Sequence, residues 1–392
     1  MTIRFMKFMD EYIGTAIVFL LAILSVGRKR KREKKTRNIL VIKFWGMGSV
    51  TLSMPLLAHL KRSLPGAKLH YLTLAGNSEL CSMIGEIDFI HTISLTSATS
   101  FLLSTFKAVT SLRRHNFEMV FDLEFFTNIS AIICRVVRAR DRIGFQNSRS
   151  RTNARSKLYT DTKPFHDNEH VAVNFLRLAD KTSDILFPHF KVDKINDPEP
   201  MYHHMPVAFN INASPLAYER RWSPEEFGLL ADFLAAEFGA HIMLTGSQEE
   251  REYVEKFSAT LTDPSCFTNV CGELTVGGLI GLLQSCQLIV TNDSGPLHLA
   301  SALNIPTISF FGPESPVRYG SLSSSQLTFY KRLWCSPCMT VSNLKTVNCI
   351  NNRQCMKQIH FVDIKESIRK FVTSILEGNQ DSKFEKILAE RL

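Results

Sequence analysis

Residues Leu288 to Pro313 read LIVTNDSGPLHLASALNIPTISFFGP, and their pattern decides the fold class. An uninterrupted apolar run such as Leu288 to Thr291 is what a strand covered on both faces requires. A short polar turn follows, then a helical stretch from Pro296 to Leu303, then a second apolar run over Thr307 to Phe311. Strand, turn, helix and strand in succession make a parallel βαβ unit of an α/β protein. Open sheets built from such units bind ligands at the carboxyl edge of their strands, where the turn from Thr291 to His298 falls. There Ser294 and Gly295 can offer hydroxyl and backbone N–H donors, Pro296 suits the start of a helix, and the positive end of the helix dipole can meet a diphosphate. His298, one turn in, can add a donor to the same oxygens. The spacing alone equally accommodates a helix cap followed by a satisfied core histidine.

The same alternation extends upstream. It predicts strands over Val207 to Asn212 and His241 to Thr245, and helices over Pro224 to Phe238, Glu249 to Ala259 and Thr275 to Ser285. Ser223-Pro224-Glu225-Glu226 reads as a capping box with proline at the first helical position. Before this lobe, Phe187 to Met205 is polar, proline-containing and aperiodic, as a linker is. Further upstream, Ile39 to Phe44 (ILVIKF) is a buried strand, and Gly46-Met47-Gly48-Ser49 is a tight turn. Ser49 is expected to cap a helix carrying Leu52, Leu56, Leu57 and Leu60, with a kink at Pro55 and an end at Pro65-Gly66. Strands over Lys68 to Leu74 and Met119 to Leu123 complete a first lobe. The expected divisions are an anchor with a basic run over 1–37, a first domain over 38–190, a linker over 191–206, a second domain over 207–360, and a C-terminal helix and tail over 361–392.

The chain has 392 residues, 45% of them hydrophobic and 21% charged, enough for two domains with real cores. Its formal charge of +9 is concentrated: eight of the ten residues 28–37 are Lys or Arg, and the chain outside that run sums to +2. A basic excess confined to one run is a local electrostatic anchor rather than a nucleic-acid-binding face. Tyr12 to Val26 (YIGTAIVFLLAILSV) directly precedes it, apolar and without charge. The pair reads as a membrane anchor through residues 12–37. The apolar part is shorter than the roughly 20 residues of a spanning helix, so it either spans with the help of local thinning or lies in the interface, and in both cases the basic run keeps the remaining chain on the cytoplasmic side. Nine scattered cysteines do not form the framework of a small secreted domain.

With these elements in view, TNDSGPLHLASALNIPTISFFGPESPVRYG resembles the donor-site signature of the heptosyltransferase family, glycosyltransferase family 9. That signature is a (T/S)-(N/D)-(D/S)-(S/T)-G-x-x-H run followed by a small-residue helix, a strand and a Phe-Gly-Pro turn. IKFWGMGSVTLSMPLLAHL, FDLEFF followed by RIGF, and ERRWSPEEF resemble the same family in the same order, so that the likeness runs from Asn38 to Asp363. The resemblance implies a GT-B fold, two Rossmann-like lobes facing a cleft, with the donor nucleotide mainly in the second and the acceptor in the first. It implies transfer of a heptose from an ADP-sugar to the lipopolysaccharide core, or a related lipid-linked acceptor, at the cytoplasmic face of the inner membrane. The transfer would proceed with inversion and without a bound metal or further cofactor. On this reading Asp293, Ser294, Gly295 and His298 hold the donor's phosphates and nearby sugar. Arg220 stands where the family has a lysine that neutralises the leaving diphosphate, Glu249 or Glu250 lies near the ribose, and Gly46 and Gly48 shape the acceptor-side loop.

One position departs from the family. Many members carry an aspartate after the equivalent of Gly48, thought to be the catalytic base, and this chain has Ser49, whose hydroxyl is far too weak a base unaided. Asp122 and Glu124, at the end of the Met119 strand, are the nearest alternatives by topology, and a strand-end charge paired with arginine is their equal rival reading. A transferase using another nucleotide sugar and a catalytically impaired sugar-nucleotide-binding scaffold are therefore the competing functions. Cys335, Cys338, Cys349 and Cys355 have the CxxC start of a zinc site but loose spacing in the second pair, and a packed or redox-labile cluster is the default expectation. Gly46-x-Gly48 lacks the third glycine and the distal acidic residue of a dinucleotide fingerprint, which excludes a dehydrogenase.

Overall fold

The computed structural model describes residues 10–23, 38–125, 127–146, 155–191, 205–213, 217–341 and 345–378. The basic run and nearly all of the expected linker lie outside these residues. The chain divides after Lys191 into two compact units.

The first unit contains β1 (Asn38–Ile42), β2 (Lys68–Leu74), β3 (Phe89–Ile93), β4 (Phe117–Asp122), β5 (Asp141–Gln146) and β6 (Asp161–Pro164). They form one sheet in the order β3-β2-β1-β4-β5-β6, every pairing parallel. Its longer helices are α1 (Thr15–Ile23), α2 (Met54–Ser63), α3 (Ala98–Leu112), α4 (Asn128–Val137) and α5 (Val171–Arg177). β1 is central, and Ile39 to Ile42 are all buried because helices cover both faces of the sheet. Leu40 and Ile42 meet Val18 of α1, Ala108 and Leu112 of α3, and Ile133 of α4 in one apolar cluster, so these three helices form the layer on one face.

The second unit contains β7 (Met205–Asn210), β8 (Ala240–Leu244), β9 (Phe267–Asn269), β10 (Leu288–Asn292), β11 (Thr307–Phe311) and β12 (Gln326–Tyr330). Its helices are α6 (Pro224–Phe238), α7 (Arg251–Ser258), α8 (Val276–Ser285), α9 (Gly295–Ala302) and α10 (Phe361–Leu376). The sheet order is β12-β11-β10-β7-β8-β9, again all parallel. Counted from its own first strand, it repeats the order of the first unit, and both are doubly wound Rossmann-like sheets with a switch point beside the first strand. Trp222 centres the core, stacked on Phe310 at 3.8 Å with Nε1 donating to Ile359 O at 2.7 Å. The C-terminal helix α10 belongs to this core through Phe361, Ile364, Ile368 and Phe371.

Two local expectations are corrected. Ser49 caps nothing: a short helix over Met47–Thr51 begins after Gly46, whose φ of 81° favours glycine, and α2 starts afresh with Pro55 in its first turn rather than as a kink. The capping box at Ser223 does not form. Ser223 Oγ donates to Glu225, while Glu226 accepts Phe361 N at 2.6 Å and ties α10 to α6. The box that does form joins Ser247 to Glu250.

The N-terminal apolar segment is described from Asp10 to Ile23. Within it, α1 packs on the first unit with Val18 fully buried. Asp10 accepts Asn128 N and Ile129 N, both at 2.8 Å, and so caps α4 from a distant part of the chain. A Cβ on Gly14 would lie 2.9 Å from Asn128 Cβ, so this approach needs a glycine. Among the described residues, no helix is long and apolar enough to cross a membrane.

Candidate functional site

In the second unit the strand order reverses between β7 and β10, and the polar residues singled out in the sequence collect at the carboxyl ends of these two strands. Asn292, the last residue of β10, is the joint. Its Oδ1 accepts Trp222 N at 2.9 Å, and its Nδ2 donates to Ile211 O at 3.0 Å and Asn212 O at 3.2 Å. This fixes the loop after β7 against the turn after β10. Arg220, carried on that loop, donates Nη1 to Asp293 O at 2.8 Å and lies 3.2 Å from Asp293 Oδ2. A fixed guanidinium thus stands beside the N-terminus of α9.

That N-terminus lacks a side-chain cap. Ser294 occupies the cap position, but its hydroxyl is turned to Thr291 Oγ1 at 2.9 Å and makes no cap hydrogen bond. The first N–H groups of α9 therefore have no side-chain acceptor, the state in which a helix end binds an anion. His298 is 4% exposed with Nδ1 buried and unpartnered. Burial pulls its pKa down to about 4, helped by Lys345 and Arg220 and opposed by Asp293, so the ring is neutral at neutral pH. Neither half of the bland reading holds: the turn does not cap its own helix, and the histidine is not a satisfied core group.

Glu250 sits at the edge of the same unit. Its Oε2 accepts Ser247 N at 2.9 Å and its Oε1 lies 4.0 Å from Arg221 Nη2, while Glu249 is exposed. Arg221 itself is held over the rings of Tyr218 and Tyr253 at 4.6 Å and 4.2 Å. A Cβ on Gly246 would be 2.6 Å from both Asn212 Nδ2 and Cys271 Sγ, so this turn is closed to any larger residue.

Sequence reasoning missed a cationic group beside His298. Lys345 Nζ lies 3.3 Å from the centre of the Tyr319 ring and 3.4 Å from Glu314 Oε2, and the Tyr319 ring is 6.0 Å from that of His298. Arg318 Nε donates to Glu314 Oε1 at 2.9 Å and Nη2 to Met339 O at 3.0 Å. Glu314, Arg318 and Tyr319 follow the Phe-Gly-Pro turn, which is the signal that could have found them; Lys345 lies in a loop with no pattern.

The first unit has its own switch point, between β1 and β4. Asp122 and Glu124 meet there, 0% and 1% exposed. Asp122 Oδ2 accepts Tyr159 Oη at 2.6 Å and Arg155 Nη2 at 2.9 Å, and Oδ1 accepts Glu124 N at 3.0 Å. Burial works against the charge of Arg155, yet Tyr159, Asp122 and Glu124 raise its pKa overall. Glu124 Oε1 accepts Lys43 Nζ and Phe44 N, each at 2.7 Å, and Trp45 N at 3.3 Å, while Oε2 faces Thr127 Oγ1 at 3.5 Å. The pair thus shapes the loop leading to Gly46, Gly48 and Ser49; Ser49 is half-buried and Gly48 buried.

Cys335, Cys338, Cys349 and Cys355 gather around a cavity of about 190 Å³ with Trp334, Pro313 and Arg353. All four are free thiols, and among the described residues no three His, Cys, Asp or Glu side chains are placed as a metal-binding group.

Two Rossmann-like units, each with polar residues at its switch point and the second with an uncapped helix beside a fixed arginine, are the architecture of a GT-B glycosyltransferase. Residues 105–348 match the model of glycosyltransferase family 9 (heptosyltransferase). The chain belongs to that family, and it is a glycosyltransferase. It is 23% identical over 310 residues to lipopolysaccharide heptosyltransferase 1 of Pseudomonas aeruginosa, covering 77% of this chain and 86% of the relative. The fold is similar to that of the ADP-heptose lipopolysaccharide heptosyltransferase II of E. coli, with a TM-score of 0.68, 20% identity, and coverage of 88% of this chain and 100% of the other. E. coli heptosyltransferase WaaC, solved with ADP, gives a TM-score of 0.65 at 18% identity, covering 85% and 99%.

Proposed function

We propose that the protein transfers a heptose-type sugar, with inversion and without a metal, from an ADP-activated donor to a lipopolysaccharide core or related lipid-linked acceptor. The membrane in question is the inner membrane, met at its cytoplasmic face. The carrying observation is the uncapped N-terminus of α9 beside Arg220 and the unpartnered Nδ1 of His298. The first turn of α9 takes the diphosphate, Asp293, Ser294 and Gly295 border it, and Arg220 neutralises the charge that develops as ADP departs. His298, neutral, hydrogen-bonds a phosphate or sugar oxygen, and Glu250 borders the ribose. An acceptor hydroxyl attacks the anomeric carbon as the bond to the diphosphate breaks, and its proton passes to a base. Asp122 has both oxygens engaged by donors of the protein, whereas Glu124 keeps Oε2 freer. Glu124 is the candidate base; Asp122 positions it through the backbone N–H of Glu124.

Titration with ADP in the presence of a chelator tests the donor site. Arg220→Ala and His298→Ala are each expected to weaken binding about tenfold or more, the scale of a lost charge-assisted or buried hydrogen bond. Unchanged affinity in both variants, or binding that disappears with chelation alone, overturns the assignment.

Ser49 at the family's usual aspartate, together with the buried partners of Asp122 and Glu124, favours one second reading, a sugar-nucleotide-binding scaffold. It requires donor binding without turnover, and transfer by the purified chain dismisses it.

A further inference from the structure

Three helices cover one face of the first sheet, and two of them present apolar side chains to solvent. On α3, Leu102, Leu103 and Phe106 are 66%, 62% and 69% exposed, while Ala108 and Leu112 of the same helix are buried against the sheet. On α1, Ile17, Phe19 and Leu20 are exposed while Val18 is in the core. Helix α4 lies between them, packed against both, so the two exposed stripes belong to one layer and point away from the same sheet. Single exposed leucines are ordinary on a protein surface; two helices of one layer each exposing three large apolar residues are not.

The charge pattern states what covers them. Neither helix contains an Asp or Glu. Exposed Lys107, Arg113 and Arg114 lie on or just after α3, and the eight Lys and Arg of 28–37 begin five residues after α1 ends. Helices without acids that expose apolar side chains, with exposed cations on or just after one of them, match the pattern of helices lying in the headgroup region of an anionic bilayer.

We propose that α1 and α3 together form a docking face for an anionic lipid surface, with Leu102, Leu103 and Phe106 inserted beside Ile17 and Leu20 and the exposed cations Lys107, Arg113 and Arg114 at the headgroups. The apolar N-terminal segment then lies along the membrane as part of the first unit rather than crossing it. Leu21 of α1 and Trp45, which precedes Gly46, both pack against the apolar cluster beneath this face. The inference rests on the lipid-linked acceptor of the proposed function.

The test is co-sedimentation of the full chain with vesicles of phosphatidylglycerol and phosphatidylethanolamine, and with phosphatidylcholine alone. Binding to the anionic vesicles is expected, and binding to phosphatidylcholine is expected to be weak. The triple variant Leu102→Gln, Leu103→Gln, Phe106→Gln should lose about tenfold or more of the anionic binding while keeping its thermal melt, its ADP affinity and its transfer to a delipidated, water-soluble acceptor. Unchanged vesicle binding by the folded triple variant overturns the proposal. So does a triple variant that binds vesicles normally but no longer self-associates, which makes the face a contact between copies. Vesicle binding lost as expected in a chain that transfers to no acceptor at all leaves the docking face standing and removes the functional reading instead.

Discussion

A carboxylate with 1% exposure has given up its water, and the protein must supply the donors it lost. Glu124 obtains them from Lys43 Nζ and the backbone N–H groups of Phe44 and Trp45, so the ion pair also sets the path of the chain into the Gly46 turn. The dual role is separable by measurement. Glu124→Gln keeps the shape and is expected to lower kcat by about a hundredfold or more if the proton passes to it. Ser49→Ala should stay within about threefold, since its hydroxyl cannot act as a base. A Glu124→Gln protein that is merely less stable, with kcat and its pH profile unchanged, assigns the residue to structure alone. At this scale the sequence went only part of the way. It could name Asp293, Ser294 and His298, because a strand followed by a polar turn and a proline is a local pattern. It could not tell a capped helix from an uncapped one, because that depends on whether the Ser294 hydroxyl turns to Thr291 or to its own helix.

Adjacent parallel strands place side chains of equal parity on one face, and β2 and β3 thereby bring together His70 and His91. Their rings are joined by a 3.0 Å contact between His70 Nδ1 and His91 Nε2, and His115, just before β4, lies 4.5 Å from His70. Burial first and the neighbouring histidines second bring His70 down to about 3 and His91 to about 4, with Asp88 opposing weakly at His70. Both are neutral in the folded protein, whereas the unfolded chain takes up protons below about 6.5. The unfolded state therefore binds more protons between about pH 6.5 and about pH 4, and stability falls as the pH is lowered through that window, with no contribution above it. His91→Leu should flatten that fall, seen as a smaller drop in Tm between about pH 7 and about pH 5; an unchanged slope contradicts the cluster's role. No motif announced this group, since three histidines separated by more than twenty residues meet only through strand register.

On the proposed function the two units carry separate work. Every residue assigned to the donor (Arg220, Glu250, Asp293, Ser294, Gly295 and His298) lies in the second, whose core of Trp222, Phe310 and Ile368 is its own. Residues 205–392 expressed alone are accordingly expected to fold and bind ADP within about threefold of the full chain; a soluble, folded fragment without affinity for ADP would show that the first unit completes the site. The sequence by itself determined the alternation of strands and helices, the two α/β units and the place of the polar turn before α9, because each follows from periodicity and turn chemistry within a few neighbouring residues. Its boundaries shifted by a residue or two, and its helix starts failed at Ser49 and Ser223, where a distant partner or a glycine's positive φ outweighed local propensity. Only the tertiary structure shows that part of the N-terminal apolar segment packs on the first unit. A hydrophobic run states that it must leave water, not what it leaves water for, and here Val18 enters the first unit while Ile17 and Leu20 remain uncovered. Tertiary structure likewise decided that Asp122 and Glu124 are buried among their own cations, because burial and pairing are properties of residues far apart in the chain, brought together by the order of strands in a sheet.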